Sequence, residues 1–221
     1  MKPAVLCVAL NTLLENSHIN SEIPGIYPVD LSQIPANEVH FINRQVVDTP
    51  RNELEANIAK NFPQILGYVT MVNEEGKVFS YSRGTTGGEK GLADRRSIGV
   101  GGHTDIADMA LDDEGNLDLV ATLEASVNRE LAEEIGLLTT PDLSGPQLAL
   151  AVLNDPVSMV HVGIWVHTNV HTSTICETDE TQDQKWLTVD QLKDDIELYE
   201  PWSQMIINML HASIKSNCAA S

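Results

Sequence analysis

Apolar residues recur every four positions at Leu123, Val127, Leu131 and Ile135, the spacing of a helix that lays one edge on a core. Elsewhere the pattern is that of strands. Ile65 to Val72 and Lys77 to Arg83 are β-rich runs, and Asn73-Glu74-Glu75-Gly76 between them reads as a hairpin turn. Gln147 to Leu153 and Val157 to Thr168 predict two more strands, parted by Asn154-Asp155-Pro156, and Phe41 to Arg44 a shorter one. Helix starts are marked by caps. Thr49, with Pro50 at the first helical position, opens a helix through about Lys60. Thr188 and Gln191 form a capping box, and Glu200-Pro201-Trp202 opens a last helix with Trp202, Ile206, Met209 or Leu210, and Ile214 as its buried stripe. Gly136 stops the central helix. Strands, a helix, more strands and a closing helix predict an α/β chain, a mixed sheet packed between helices in an α/β/α sandwich.

Three stretches are less regular. Residues 1–40 carry one apolar segment and then an extended, Pro-bearing stretch (Pro24, Pro28, Pro35), and read as an N-terminal extension to a domain over 41–221. The apolar segment Ala4 to Leu10 is too short for a signal peptide and reads as a strand or short helix. Gly84 to Asp94 is a Gly- and Thr-containing loop (Gly84, Gly87, Gly88, Gly91), and Asn169 to Asp183 an acidic loop or edge hairpin. The 221 residues suffice for a core without disulfides or structural metal. A net charge of −19 argues against a nucleic-acid polymer as partner, because phosphate tracking needs clustered Lys and Arg. It leaves open a small anionic substrate, since bound divalent ions invert the local field. Cys7, Cys176 and Cys218 are scattered and odd in number, which indicates a reducing, cytoplasmic setting and neither a zinc site nor a disulfide framework. No run approaches the ~20 apolar residues of a membrane span.

The chemistry is concentrated in Arg129-Glu130-Leu131-Ala132-Glu133-Glu134-Ile135-Gly136-Leu137. On a helix, Glu130, Glu133 and Glu134 fall at i, i+3 and i+4, so three carboxylates crowd one face and repel one another. A hard cation such as Mg²⁺ or Mn²⁺ relieves that repulsion. The same residues also suit a solvated face, with Arg129 paired to Glu133.

This string resembles the signature of the Nudix hydrolases: Gly, five residues, Glu, seven residues, then Arg-Glu-apolar-x-Glu-Glu-x-Gly-apolar. Gly115 and everything from Arg129 to Leu137 fall on that spacing, whereas the first Glu slot holds Ala121. A looser similarity to the fold runs from about Phe41 to Ile214. Ser97 to Asp105 looks like the strand and Gly-Gly loop that precede the family's helix, here followed by a longer loop containing the turn-like Asp112 to Asn116. The resemblance implies a Mg²⁺- or Mn²⁺-dependent hydrolase that cleaves the diphosphate linkage of a nucleoside diphosphate derivative or similar small molecule. It implies Glu130, Glu133 and Glu134 as metal ligands, with Arg129 holding one carboxylate by a bidentate pair. The Gly101-Gly102 backbone would then meet phosphate or metal. Asp105 ranks before Asp118 and Glu124 as substitute for the Glu missing at Ala121. Glu177 and Glu180 are candidate general bases, His103 a contact to phosphate or metal-bound water, and Arg83, Arg95 and Arg96 candidate phosphate clamps. His161 and His167 read as core-edge residues, and Trp186 as a core residue or a base-stacking one. A homodimer is compatible with this reading. Three other readings stay open: a Nudix-like module that binds without hydrolysing, an isoprenoid diphosphate isomerase, for which no Cys is suitably placed, and an unrelated interaction protein with an acidic helix.

Overall fold

The computed structural model describes residues 3–84, 95–138, 143, 145–152 and 159–219. The chain runs through β1 (Ala4–Val8), α1 (Leu10–Asn16), β2 (Gly25–Val29), β3 (Val39–Asn43), α2 (Arg44–Asp48), α3 (Glu53–Asn61), β4 (Gln64–Val72), β5 (Val78–Arg83), β6 (Arg96–Ser97) and β7 (Gly99–Val100). It continues through α4 (Leu119–Ile135), β8 (Gln147–Ala151), β9 (His161–Asn169), β10 (Thr181–Leu187), α5 (Val189–Asp194) and α6 (Pro201–Ala219). This is the expected α/β class, a mixed sheet with helices. No helix among the described residues is long and apolar enough to cross a membrane. Of the expected loops, Gly87, Gly88, Gly91 and Asn154-Asp155-Pro156 lie outside the described residues.

Two compact units divide the chain: Met1–Tyr68, Gly101–Glu130 and Thr139–Val166 in the first, Val69–Val100, Leu131–Leu138 and His167–Ser221 in the second. In the first unit β1 pairs antiparallel with β3, from Ala4 opposite Asn43 to Val8 opposite Val39, and Cys7 of β1 faces Gln64 of β4. β2 pairs with β8 and β8 with β9, both antiparallel. Residues 1–40 thus contribute β1 and β2, hydrogen-bonded to β3 and β8. Val5, Cys7, Val47 and Ala59 pack together as a buried cluster with Ile42, Phe62 and Val160 against them. The helix expected from Thr49 starts later, at Glu53, and a separate short helix ends just before Thr49. Thr49 closes α2, donating its N–H to the Gln45 carbonyl, and α3 begins instead behind Asn52, whose side chain accepts from the Glu55 N–H at 3.0 Å. The reason is Pro50, which biases the residue before it toward extended backbone and parts the two helices.

In the second unit β5 pairs with β10, with β6 and with β4, where Val72 faces Val78 across the expected hairpin. Gly76 takes φ 73° in that turn, which a side chain would disfavour. Tyr199 bridges Arg96 in parallel. The expected capping box on α5 is present. In α6, Ile206 and Ile207 are fully buried, whereas Ile214, expected in the buried stripe, is 45% exposed and lies in a run, 212–216, that is exposed on every side.

Candidate active site

The helix that carries the acidic string forms as its apolar period demands. Leu119, Leu123, Val127, Leu131 and Ile135 are all buried, and Gly136, at φ 68°, ends the helix. Its first turn is capped by Asp118, whose carboxylate accepts from the Ala121 N–H at 2.9 Å. Ala121 therefore lies in the first helical turn. Glu124 accepts from the Leu143 N–H at 2.9 Å. Ahead of the helix, Leu111 and Leu117 pair across a tight turn in which Asp112 accepts from the Glu114 and Asn116 N–H groups and Gly115 takes φ 84°. Those hydrogen bonds, with Asn116 first, hold the Asp112 carboxyl below its ordinary pKa.

Within the first unit Arg129 is the organising residue. Its Nε and Nη2 donate to the two oxygens of Asp108, each at 2.8 Å, Nη1 donates to Glu130 Oε1 at 2.8 Å, and Nη2 also reaches the His103 carbonyl at 2.9 Å. The bidentate pair expected between Arg129 and a glutamate is thus seen with Asp108, while Glu130 Oε1 accepts from Nη1. Asp108 is 7% exposed, and its bonds raise the Arg129 pKa further, so the guanidinium is a permanent charge. Asp108 was missed by sequence reading because it lies in the long loop, where no period exists and an acid looks like surface. Its signal is local only. Asp105 and Asp108 make a reciprocal capping box around a short 3₁₀ turn, with the Asp105 N–H donating to Asp108 Oδ2 at 2.8 Å. Asp105 is pinned further by a bridge between its backbone and Val5.

The Gly-Gly loop meets this cluster through its second glycine. A Cβ on Gly102 would sit 2.6 Å from Glu130 Oε1, 2.7 Å from its Cδ and 2.8 Å from Oε2, so only glycine lets that carboxylate lie on the loop backbone. Gly101, at φ 151°, faces the Gly67 carbonyl so closely that a Cβ would collide with it. The His103 ring lies beside Asp48 and His161: its Nε2 is 3.9 Å from Asp48 Oδ1 and its ring centroid 5.5 Å from that of His161.

The second unit holds the other expected residues. Glu133 is exposed, while Glu134 is 7% exposed. The Glu134 carbonyl accepts from the hydroxyls of Thr178 and Thr181, and its charge adds to burial in raising the Tyr81 pKa. Arg83 donates to Glu200 at 2.8 Å, and the same buried carboxylate accepts from Ser97 at 2.6 Å. Arg95 donates to the Tyr199 carbonyl, and Arg96 to Asp183, Ser80 and Ser82. Glu177 accepts from the Asp183 N–H at 3.2 Å. Trp186 packs on Phe79 at 5.3 Å.

Comparison with known proteins places this geometry in context. No family model matches the chain. Protein YmaB of Bacillus subtilis is 31% identical over 157 residues, which cover 67% of this chain and 71% of YmaB. Among solved structures, Tm1382, a candidate Nudix hydrolase, superposes with a TM-score of 0.65 at 18% identity, over 94% of this chain and 97% of its own. A looser superposition, TM-score 0.45 at 17% identity, is found with the MutT protein of Methanosarcina mazei Go1, over 68% of this chain and 94% of that one.

Proposed function

The chain belongs to the family of protein YmaB and has the Nudix fold, and from that premise we propose a divalent-metal-dependent hydrolase that cleaves the phosphoanhydride of a nucleoside diphosphate derivative or a similar small diphosphate. The observation that carries the reading is Glu130: its carboxylate lies against the Gly102 backbone and is aligned by Arg129, itself fixed by Asp108. A carboxylate held from two sides before any ligand arrives is pre-organised, which is what charge stabilisation at phosphorus requires.

Glu130, Glu133 and Glu134, successive acids on one helix, are assigned to hold Mg²⁺ or Mn²⁺, with Asp105 the candidate for the ligand that Ala121 does not supply. An all-carboxylate donor set fits a hard cation, and the burial of Glu134 favours a positive partner. When bound, such an ion neutralises charge on the phosphate oxygens and acidifies the attacking water. The chain's own contribution is positional. Arg129 keeps Glu130 oriented, and Gly102, lacking a Cβ, leaves room for that carboxylate; the Gly101-Gly102 peptide groups are assigned to meet phosphate or metal. Arg83 and His103 have other neighbours, Glu200 and Asp48, which would have to release them before either met substrate. Glu177 and Glu180 remain the candidate bases. The cytoplasm is the proposed setting, on the free thiols Cys7 and Cys176.

The test is a panel of nucleoside diphosphate derivatives with chelated protein, then with Mg²⁺ or Mn²⁺ restored, scored by released phosphate products. Turnover appears only with metal; turnover that survives thorough chelation overturns the proposal. Ala121 motivates one alternative, a module that binds such ligands without cleaving them. Saturable binding with no product from any panel member would establish that alternative.

A further inference from the structure

Asp48, His103 and His161 come from three separate places in the first unit: the last residue of α2, the residue after the Gly-Gly loop, and the first residue of β9. Their ligand atoms nevertheless all lie within 4.8 Å of one another. We propose that these three residues form a binding site for a divalent transition-metal ion of the zinc type, distinct in residues and in ion class from the carboxylate site assigned above.

The donor set decides the ion. Two imidazoles and one carboxylate suit a borderline cation such as Zn²⁺, Co²⁺ or Fe²⁺ and are a poor match for Mg²⁺, which prefers oxygen throughout. Three protein ligands leave a coordination position for water or an exogenous oxygen, as in metal sites that act on ligands. The environment is already arranged around the cluster. Arg44 Nε donates to Asp48 Oδ2 at 2.8 Å and so fixes the carboxylate, leaving Oδ1 on the side of His103. Val47 and Cys7 belong to the apolar cluster beside Asp48, and burial with that charge pushes the Cys7 thiol up to about 12. Cys7 Sγ donates to the Val5 carbonyl and is not among the ligand atoms that meet, so the site rests on nitrogen and oxygen.

Gln64 gives an independent indication that acceptors converge here. It is fully buried, and its N–H donates to the Val160 carbonyl at 2.7 Å, which sets it beside His161. Its side-chain Nε2 lies 3.0 Å from Asp48 Oδ1 and 3.0 Å from His161 Nε2, a donor placed between two of the three ligand atoms. With Gln64 as donor, His161 Nε2 is the acceptor, and its lone pair points into the cluster. The Gln64 Oε1 has no hydrogen-bond partner among the described residues. A half-turn of the amide would therefore replace the donor by an oxygen that can itself approach a cation. Because Arg44 already engages one oxygen of Asp48, the two imidazoles should carry most of the affinity.

The test uses the full chain, stripped with chelator and titrated with Zn²⁺ in excess Mg²⁺. One equivalent binds in spite of the Mg²⁺. His103→Gln and His161→Gln each weaken it ~100-fold or more, and Asp48→Asn by about tenfold. Glu133→Gln leaves it unchanged, which separates this site from the proposed catalytic one. No binding above Mg²⁺ competition, affinity in either His variant unchanged from that of the unaltered chain, or loss of the equivalent in Glu133→Gln would each overturn the proposal. Should a His variant fail to fold, the ¹⁵N imidazole spectrum of the unaltered chain decides. Zn²⁺ must then shift two of its seven histidines, and any other number rejects the site.

Discussion

Gly102→Ala isolates the contact on which the proposed activity depends. The new methyl would stand 2.6 Å from Glu130 Oε1, where ordinary contact begins near 3.4 Å, so the carboxylate must retreat by about 0.8 Å, the difference of the two. It can do so, because it is the far end of a flexible side chain. The bond from Arg129 Nη1, 2.8 Å long, then stretches or breaks, a loss of about 1–2 kcal/mol for a charge-assisted bond. Stiffening of the unfolded chain by alanine returns about 0.4–1 kcal/mol. Net stability should therefore fall by no more than about 1.6 kcal/mol, whereas displacement of a pre-positioned ligand by nearly 1 Å should lower metal-dependent turnover about 10²-fold. Gly101→Ala is the counterpart. There the obstacle is the Gly67 carbonyl, backbone that cannot swing aside, and φ is 151°, so about 2–4 kcal/mol of stability is lost by overpacking and backbone strain. Urea denaturation gives the stabilities, and initial rates with Mg²⁺ on the substrate found by the panel give the activities. A Gly102→Ala protein that is stable and fully active would refute the importance of where the Glu130 carboxylate lies.

The remaining predictions are simpler. Glu133→Gln and Glu134→Gln should each lower turnover by orders of magnitude while preserving the metal-free thermal midpoint and shrinking its shift with Mg²⁺; unchanged rates in both would return these acids to a solvated face. Asp108→Ala should cost about 2–3 kcal/mol in urea denaturation, discounted for the part-exposed Arg129, because it removes the bidentate acceptor of that guanidinium and the side-chain acceptor of the Asp105 N–H; a loss under about 0.5 kcal/mol would contradict the network. Cys7 holds its proton to about 12 when folded but ionises near 9.0 when unfolded, chiefly because burial disfavours the thiolate. The unfolded chain therefore binds fewer protons between those values, and stability should fall by on the order of 4 kcal/mol as pH rises through that window. Cys7→Ala should flatten this limb in pH-dependent denaturation, and parallel curves for the two proteins would rule the effect out.

Much of the backbone was legible because its causes are local. The four-residue period of α4, the Asn73–Gly76 turn, the Thr188–Gln191 box and the Gly136 stop each rest on a few neighbouring residues, and each is found where its period or cap puts it. The Thr49 start misled for the same reason in reverse: Thr-Pro fits a helix opening locally, yet Asn52 and Glu55 compete for the role and win. Strand β10 was hidden because its outward residues are polar along most of its length, and what makes it a strand is the pairing with β5. The acidic string of α4 was readable on the same local terms, since three acids within one helical turn are a property of sequence. Which acid receives Arg129, and that Gly102 must be glycine for Glu130 to lie where it does, was not. Those facts depend on Asp108 and on a loop 28 residues ahead of Glu130, brought together only when the chain folds. The meeting of Asp48, His103 and His161 is the extreme case. Their separations of 55 and 58 residues carry no period or motif, so only the tertiary structure, by closing those loops against a buried core, could set three ligand atoms within 4.8 Å.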